Sequence, residues 1–400
     1  MAITVPVWVV QSVLAGRSPV TYHGFLEDLS AEAGMTLQEV SAEAYQAAPY
    51  GLILVATGGS EEMCRTLLDQ GVDHPVYLLT YGDGNSLAAS MEILAYLRQK
   101  GMAGEIIHGS LESVAKRVSA IVRVAAAKEA LKGLRLGVVG KPSNWLIAST
   151  YDAAAVQKAI GAEIVEVPMD ELQAEVQKNT YEPNVWTENL LSKGYDAKEM
   201  ERALAVYGAL KRIAQRYNLG GMTVRCFDLI GPFSTTGCLA LAILNAEGIY
   251  AGCEGDVPAL LSMAILGAVS GEPVFQCNPS RIEGDEIVFA HCTLPMNMPT
   301  DYSLMTHFES NLGVALRGTL PEEAVTLFKT SGDLRRYHAE ASRIMQNLDE
   351  CTLCRTQIRM KIADPSYFFT RAIQNHHLVA MGDHVDALNL FFASIGAQAV

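Results

Sequence analysis

The chain has 400 residues, half of them hydrophobic and only 18% charged, with a formal net charge of −14. That length allows two or three domains with a substantial buried core, and the apolar fraction excludes a disordered chain. The acidic balance argues against a nucleic-acid or anionic-membrane partner. The longest apolar run, "AGCEGDVPALLSMAILGAV", is broken by charge, Gly and Pro, short of the roughly 20 unbroken apolar residues of a membrane span. "MAITVPVWVVQSVLAGRSP" has no Lys or Arg before its apolar stretch. It reads as a first strand rather than a signal peptide, and a cytoplasmic enzyme is expected. Of eight cysteines only Cys351 and Cys354 form a CxxC. With no second pair for a structural zinc, reduced thiols are the expectation.

In chain order, "YGLILVATGGS" predicts a strand and "EEMCRTLLDQG" the helix after it. "PVYLLTYG", "SLAASMEILAYLRQKG" and "GEIIHGS" continue the alternation, and the helix "LESVAKRVSAIVRVAAAKEALKG" closes the set. Alternating strands and helices imply a parallel, helix-covered sheet. A second set begins at "LRLGVVGKPSNWLIAS" and continues through "AEIVEVPMDELQAEV". A charged amphipathic segment from Glu188 to Tyr217 follows, then strand "MTVRCFDLI", helix "GCLALAILNAEG", strand "IYAGC" and helix "VPALLSMAILGAVSG". Beyond Gly271 the texture changes to short, partly alternating segments: "PVFQCNPSRI", "DEIVFAHCTL", "LGVALRGTL", "EAVTLFKTS" and "LCRTQIRMKI". These predict a mainly β unit containing a small barrel, and "VDALNLFFASIGA" a last helix. The expected fold class is α/β: two Rossmann-like α/β domains, 1–133 and 134–271, then a β-rich, barrel-containing domain with a terminal helix, 272–400.

The chemistry concentrates in "GIYAGCEGDVPALLSMAI". Asp256 followed by Val257 and Pro258 is a helix start, with an Asp N-cap and Pro in the first turn. Glu254 has no such capping role. It sits at the carboxyl end of a strand, the edge where open α/β sheets place their ligands. In "EIVFAHC", alternation puts His291 on the face of Ile287 and Phe289. A further histidine lies in "THFES", and "NHHLVAMGDH" carries the pair His376–His377, of which at most one can enter a given site. Carboxylates with two separated histidines suit Mn²⁺, Mg²⁺, Co²⁺ or Zn²⁺. The absence of HExxH leaves helix-borne zinc hydrolase chemistry without support.

Together, "TGGSEE", "GKPSNWLIAS", "CEGD", "HCTLP", "THFESNLGVALRG", "CRTQI" and "NHH" resemble the L-fucose isomerase and L-arabinose isomerase superfamily, particularly its shorter fucose-isomerase-like members. The resemblance implies two α/β domains and a C-terminal barrel-containing domain, assembled as a homotrimer or homohexamer with active sites between subunits. It implies interconversion of aldose and ketose with a divalent metal, typically Mn²⁺, with Mg²⁺ or Co²⁺ as alternatives. Position by position, Glu254 resembles the family's metal-binding carboxylate and acid/base, with Asp256 an acidic position in the same turn. His291 and His377 resemble the imidazole ligands. Trp145, Asn85 and Ser86 match substrate-facing segments, and Arg355, Gln357 and His376 are further substrate-binding candidates. One departure is plain: arabinose-type isomerases carry another metal carboxylate about two dozen residues beyond the first, where this chain offers Cys277 and Asn278, leaving Asp256 or Asp228 to supply the charge. The expected function is isomerisation of a free, non-phosphorylated sugar through an enediolate. The alternatives are a modified anionic sugar such as a sulfo-sugar, with Arg225, Arg281 or Arg355 serving the anion, or a non-catalytic sugar-binding protein.

Overall fold

The computed structural model describes residues 3–12 and 21–400. The chain divides into two compact units, Met1–Ala125 and Ala126–Val400.

The first unit contains β1 (Thr4–Val10), α1 (His23–Ala33), β2 (Thr36–Val40), α2 (Ala42–Ala47), β3 (Leu52–Val55), α3 (Glu61–Gln70), β4 (Val76–Leu79), α4 (Ser86–Gln99) and β5 (Gly104–Ile107). Helix α5 (Leu111–Leu131) leads out of it. All five strands are parallel, in the order β2-β1-β3-β4-β5. The central strands read LILV and VYLL and are buried throughout, as a parallel sheet covered on both faces requires. Strand β2, TLQEV, is polar and half exposed; as an edge strand it carries no apolar signal, and the sequence reading passes over it.

In the second unit, β6 (Arg135–Val139), α6 (Ala153–Ile160), β7 (Glu163–Val167), α7 (Met169–Val176), α8 (Val185–Ser192) and α9 (Ala197–Tyr217) come first. Next are β8 (Gly221–Val224), α10 (Ile230–Phe233), α11 (Cys238–Ala246), β9 (Tyr250–Cys253) and α12 (Val257–Ser270). These strands form a parallel sheet in the order β7-β6-β8-β9. The single amphipathic segment expected from Glu188 to Tyr217 is the end of one helix and the whole of another. Asp196 starts α9 by accepting the Lys198 and Glu199 backbone N–H groups. The strand expected over "MTVRCFDLI" stops at Val224, and Cys226–Leu229 is a 3₁₀ turn closed by the Arg225–Asp228 ion pair at 3.1 Å.

The β-rich part holds β10 (Val274–Glu283), β11 (Glu286–His291), β12 (Asp301–Met305), β13 (Ala315–Thr319), β14 (Ala324–Thr330), β15 (Arg336–Asn347), β16 (Thr356–Lys361) and β17 (His377–Met381). The terminal helix α13 (Val385–Ser394) and the short β18 (Gln398–Ala399) follow. Antiparallel pairing runs β14-β17-β10-β11-β16-β15, and β15 returns to β14, closing a barrel. Phe275, Phe289, Leu327, Ile344, Ile358 and Val379 fill it. Helix α12 packs on β14, β17 and β10. Its N-terminus thereby joins the carboxyl edge of the second parallel sheet to the barrel. Gly133 follows α5 and Gly271 caps α12, whereas the compact units part inside α5; the division into 1–133, 134–271 and 272–400 stays a proposal.

Candidate metal centre

The connection from β9 to α12 is built to hold a carboxylate in one place. Asp256 caps α12 by accepting the Ala259 N–H at 2.9 Å, with Pro258 in the first turn. Upstream of it, Glu254 has φ +65° and Gly255 φ +70°. A left-handed glutamate costs roughly 1–2 kcal/mol, and strain of this kind collects at functional sites. Two bonds impose it: Ser143 N–H donates to the Glu254 carbonyl at 2.9 Å, and Gly255 N–H donates to the Val224 carbonyl at 3.1 Å. A Cβ at Gly255 would lie 2.5 Å from the Lys141 carbonyl oxygen and 2.9 Å from Pro142 Cα. Gly255→Ala therefore combines left-handed strain with a backbone collision. We expect it to lower stability by about 3 kcal/mol in denaturant titration.

Three buried side chains converge here. Glu254, His291 and His376 can each present one donor atom, all within 4.8 Å of one another. His376 precedes β17 and His291 ends β11. The His376 Nδ1–H donates to Asp256 Oδ2 at 2.8 Å. Its Nε2, 3.5 Å from Glu254 Oε1, has no hydrogen-bond partner. His291 Nδ1 lies 3.0 Å from Thr293 Oγ1. Trp145 Nε1–H donates to Glu254 Oε2 at 2.6 Å. Its ring meets the edge of Phe227 at 4.9 Å, and Phe227 in turn meets His307 at 5.5 Å.

The charges are mutually dependent. Burial alone would raise the Glu254 carboxyl, but the neighbouring imidazoles of His376, 3.5 Å away, and His291, with the Trp145 hydrogen bond, outweigh it and hold it at about 2. Burial likewise opposes ionised Asp256, yet the Lys329 charge and the His376 bond bring it to about 2. His376 is the converse: desolvation disfavours its charged form, while Asp256 and Glu254 raise it to about 9. Burial lowers His291 to about 4, reinforced by the charge of His376. Without metal, a proton on His376 thus occupies the place suited to a cation. A histidine raised in the folded state stabilises fully below its unfolded value near 6.5, and that stability is lost as pH rises through about 9. The metal-free protein should lose about 3 kcal/mol between pH 6.5 and 9, a fall that His376→Gln abolishes in pH-dependent denaturation.

Two imidazole nitrogens and a carboxylate, all buried, fit a divalent transition metal such as Mn²⁺, Co²⁺ or Zn²⁺. Asp256 fixes the tautomer of the His376 ring by accepting its Nδ1–H, the support that a carboxylate gives an imidazole ligand. His376 Nε2 is then left unprotonated whenever the ring is neutral.

The other sequence-predicted residues fall elsewhere. His377, expected as a ligand, points the opposite way from His376. Its Nε2 lies 3.0 Å from Tyr367 Oη, its Nδ1 2.9 Å from the Asn375 carbonyl, and its ring packs on Phe289 and Phe368. Strand alternation sends one histidine to the site and its neighbour into the barrel, so His376 takes the place expected for His377. Asp256 spends one oxygen on the helix cap and the other on His376, and it is not among the converging donors. Gln357 braces the 350–354 turn through Glu350 and the Cys354 carbonyl. Arg355 donates to the Thr306 carbonyl and hydroxyl. Arg281 pairs with Glu350 and Glu283.

Asn85 and Ser86 belong to the first unit, where Asn85 has φ +60° at the start of α4 and Ser86 is buried. In the region searched for a further carboxylate, Cys277 lies in the barrel core and Asn278 accepts from Asn375 Nδ2 at 3.3 Å. Asp228 is taken by Arg225. Among the described residues no further acid joins the group. Sequence reasoning missed Gln276, buried beside the site, whose Oε1 accepts the Cys253 N–H at 2.8 Å and whose Nε2 has no partner. It missed Lys329 as well, fully buried in β14. Both lie in strand segments whose pattern gives no reason to single out a polar position.

No family model matches the chain. A curated relative, the sulfoquinovose isomerase of Clostridium sp. (strain MSTE9), is 24% identical over 238 residues, which cover 54% of this chain and 52% of the relative. The likeness is to a sugar isomerase. This chain spans about half the length of the curated relative it matches. Among the described residues, no helix is long and apolar enough to cross a membrane.

Proposed function

We propose that this chain belongs to the fucose/arabinose isomerase superfamily and is an aldose–ketose isomerase whose reaction centre is Glu254, His291 and His376. The observation that carries the reading is the convergence of those three buried side chains at the carboxyl end of β9. The similarity to a sulfoquinovose isomerase supports it independently. Glu254, His291 and His376 would hold a divalent cation, Mn²⁺ first among the candidates. When bound, such a cation acts as a Lewis acid on the sugar oxygens and stabilises the charge of an enediolate.

The chain's own groups do the rest. Glu254, kept ionised by its neighbours, takes the proton from C2 of the aldose and delivers a proton to C1 after partial exchange with solvent, while the O2 hydroxyl proton passes to O1, giving the ketose with no net change in atoms. Trp145 fixes one carboxylate oxygen and so leaves the other to move the proton. Asp256 holds His376 in one tautomer. The left-handed turn holds the Glu254 carboxylate in register with both histidines. Trp145 is half exposed and Ile147 90% exposed beside it. That apolar edge suits the homotrimer or homohexamer, with sites between subunits, that the family resemblance implies.

The substrate we favour within this class is an aldose bearing a sulfonate, because the relative is named for one. An uncharged aldose is the second reading. The test is a panel of both, followed by NMR with Mn²⁺-loaded protein. Ketose should form from at least one sugar, cease in excess EDTA and return with Mn²⁺. Full activity in EDTA contradicts the metal, and sugar binding without conversion supports a non-catalytic binding protein instead.

A further inference from the structure

His307 lies in the loop between β12 and β13, and the sequence gives it no assigned role. The loop is preformed by its own bonds. His307 N–H donates to the Leu312 carbonyl at 3.0 Å, and Asn311 N–H donates to the His307 carbonyl at 3.0 Å. Gly313 sits so close to Thr236 that a Cβ there would lie 2.9 Å from the Thr236 backbone nitrogen. Arg355 ties down Thr306 from the other side, with Nε donating to its carbonyl at 2.7 Å.

Within this frame the tautomer of His307 follows from the hydrogen bonds. Ser310 N–H donates to His307 Nδ1 at 3.3 Å. Because Nδ1 accepts that N–H, the Ser310 hydroxyl, 3.0 Å away and itself accepting the Leu312 N–H, donates its own proton to Nδ1. A nitrogen that receives two donors carries no proton, so in the neutral ring the proton is on Nε2. That Nε2–H bonds to no group among the described residues, although the ring is only 7% exposed. The ring stands edge-on to Phe227, Phe227 stands edge-on to Trp145, and Trp145 is bonded to Glu254. A rotationally fixed donor with no protein partner, beside the aromatic wall of the reaction centre, is placed to donate to a ligand.

We infer that His307 is a substrate-binding residue whose Nε2–H donates a hydrogen bond to an oxygen of the sugar held at Glu254. The inference rests on the isomerase reading above. A bound sugar presents hydroxyl oxygens all round its carbon chain, so one rigid donor beside the Phe227–Trp145 pair restricts which of them can face Glu254.

Two isosteric substitutions separate this role from mere bracing of the loop. His307→Asn keeps an acceptor where Nδ1 stands and removes the Nε2–H. His307→Gln keeps a donor near Nε2 and removes the acceptor. With the Mn²⁺-loaded protein, sulfoquinovose and uncharged aldoses, binding is read by calorimetry and turnover by NMR. His307→Asn should weaken sugar binding about 10-fold, with Mn²⁺ affinity and thermal midpoint unchanged. His307→Gln should bind sugar more nearly as the wild type does, at a lower midpoint. The reverse pattern, with the asparagine variant binding normally, overturns the inference while wild-type activity keeps the isomerase reading. A wild type that neither binds nor converts any of the sugars overturns both. Should the asparagine variant not fold, histidine-detected ¹⁵N NMR of the wild type decides. Nε2 of His307 should shift on adding sugar, and a resonance that does not move overturns the inference.

Discussion

Glu254→Gln should abolish isomerisation and leave the fold standing. The two side chains have nearly the same shape, and a glutamine oxygen can still accept the Trp145 indole N–H that Glu254 accepts at 2.6 Å. The left-handed turn is imposed by backbone bonds from Ser143 and to Val224, so it survives the exchange. What disappears is the negative charge. Glutamine cannot take a proton from carbon, and loss of a general base alone costs about 10²–10⁴-fold. It also removes an anionic donor from the group of three, which weakens cation binding in the same step. The expected result is at least a 10³-fold fall in kcat, a native circular dichroism spectrum, and sugar binding retained at saturating Mn²⁺. Stopped turnover with an unfolded chain would say only that the turn needs its charge; turnover within a few-fold of wild type would remove Glu254 from the chemistry.

The adjacent histidines should behave oppositely. His376→Ala is expected to reduce Mn²⁺ affinity more than 100-fold, since removing even a supporting carboxylate behind a histidine ligand costs 10–100-fold. Asp256→Asn, which leaves His376 without its carboxylate at 2.8 Å, should fall within that lower range. His377→Phe should leave Mn²⁺ affinity within about twofold, because its ring faces Tyr367 and the barrel core. Its cost is to stability, about 1–3 kcal/mol, because the buried Tyr367 hydroxyl keeps the Ile373 N–H but loses the acceptor for its proton. Titration of Mn²⁺ by electron paramagnetic resonance, with denaturation midpoints on the same samples, reads both effects. Equal loss of metal in the two variants would contradict the division of labour between the faces of β17.

The alternation of strands and helices in the first two-thirds of the chain was legible because buried parallel strands such as LILV and VYLL stand out against amphipathic helices. The edge strand TLQEV and the long strand β15, with its run of charged and small residues, carry no such contrast. Glu254 could be singled out because nothing local explains an acid at a strand end. Period-two alternation dictated that only one of His376 and His377 could reach it, but not which. That depends on how the barrel wall turns toward α12, a property of the tertiary fold. Asp256 has two roles, helix cap and partner of His376, and only the cap is written in its immediate neighbours. Gln276, Lys329 and the tautomer of His307 arise from contacts between segments far apart in the chain.

Proton transfer at Glu254 decides whether the protein is an isomerase. The direct measurement is proton NMR of sulfoquinovose incubated in D₂O with Mn²⁺-loaded protein, run beside the Glu254→Gln variant. It should show deuterium at C1 of the ketose as it forms, and at C2 of the aldose as the reaction reverses, with neither in the variant. Binding of the sugar to the Mn²⁺-loaded wild type with its C2 proton retained would contradict it.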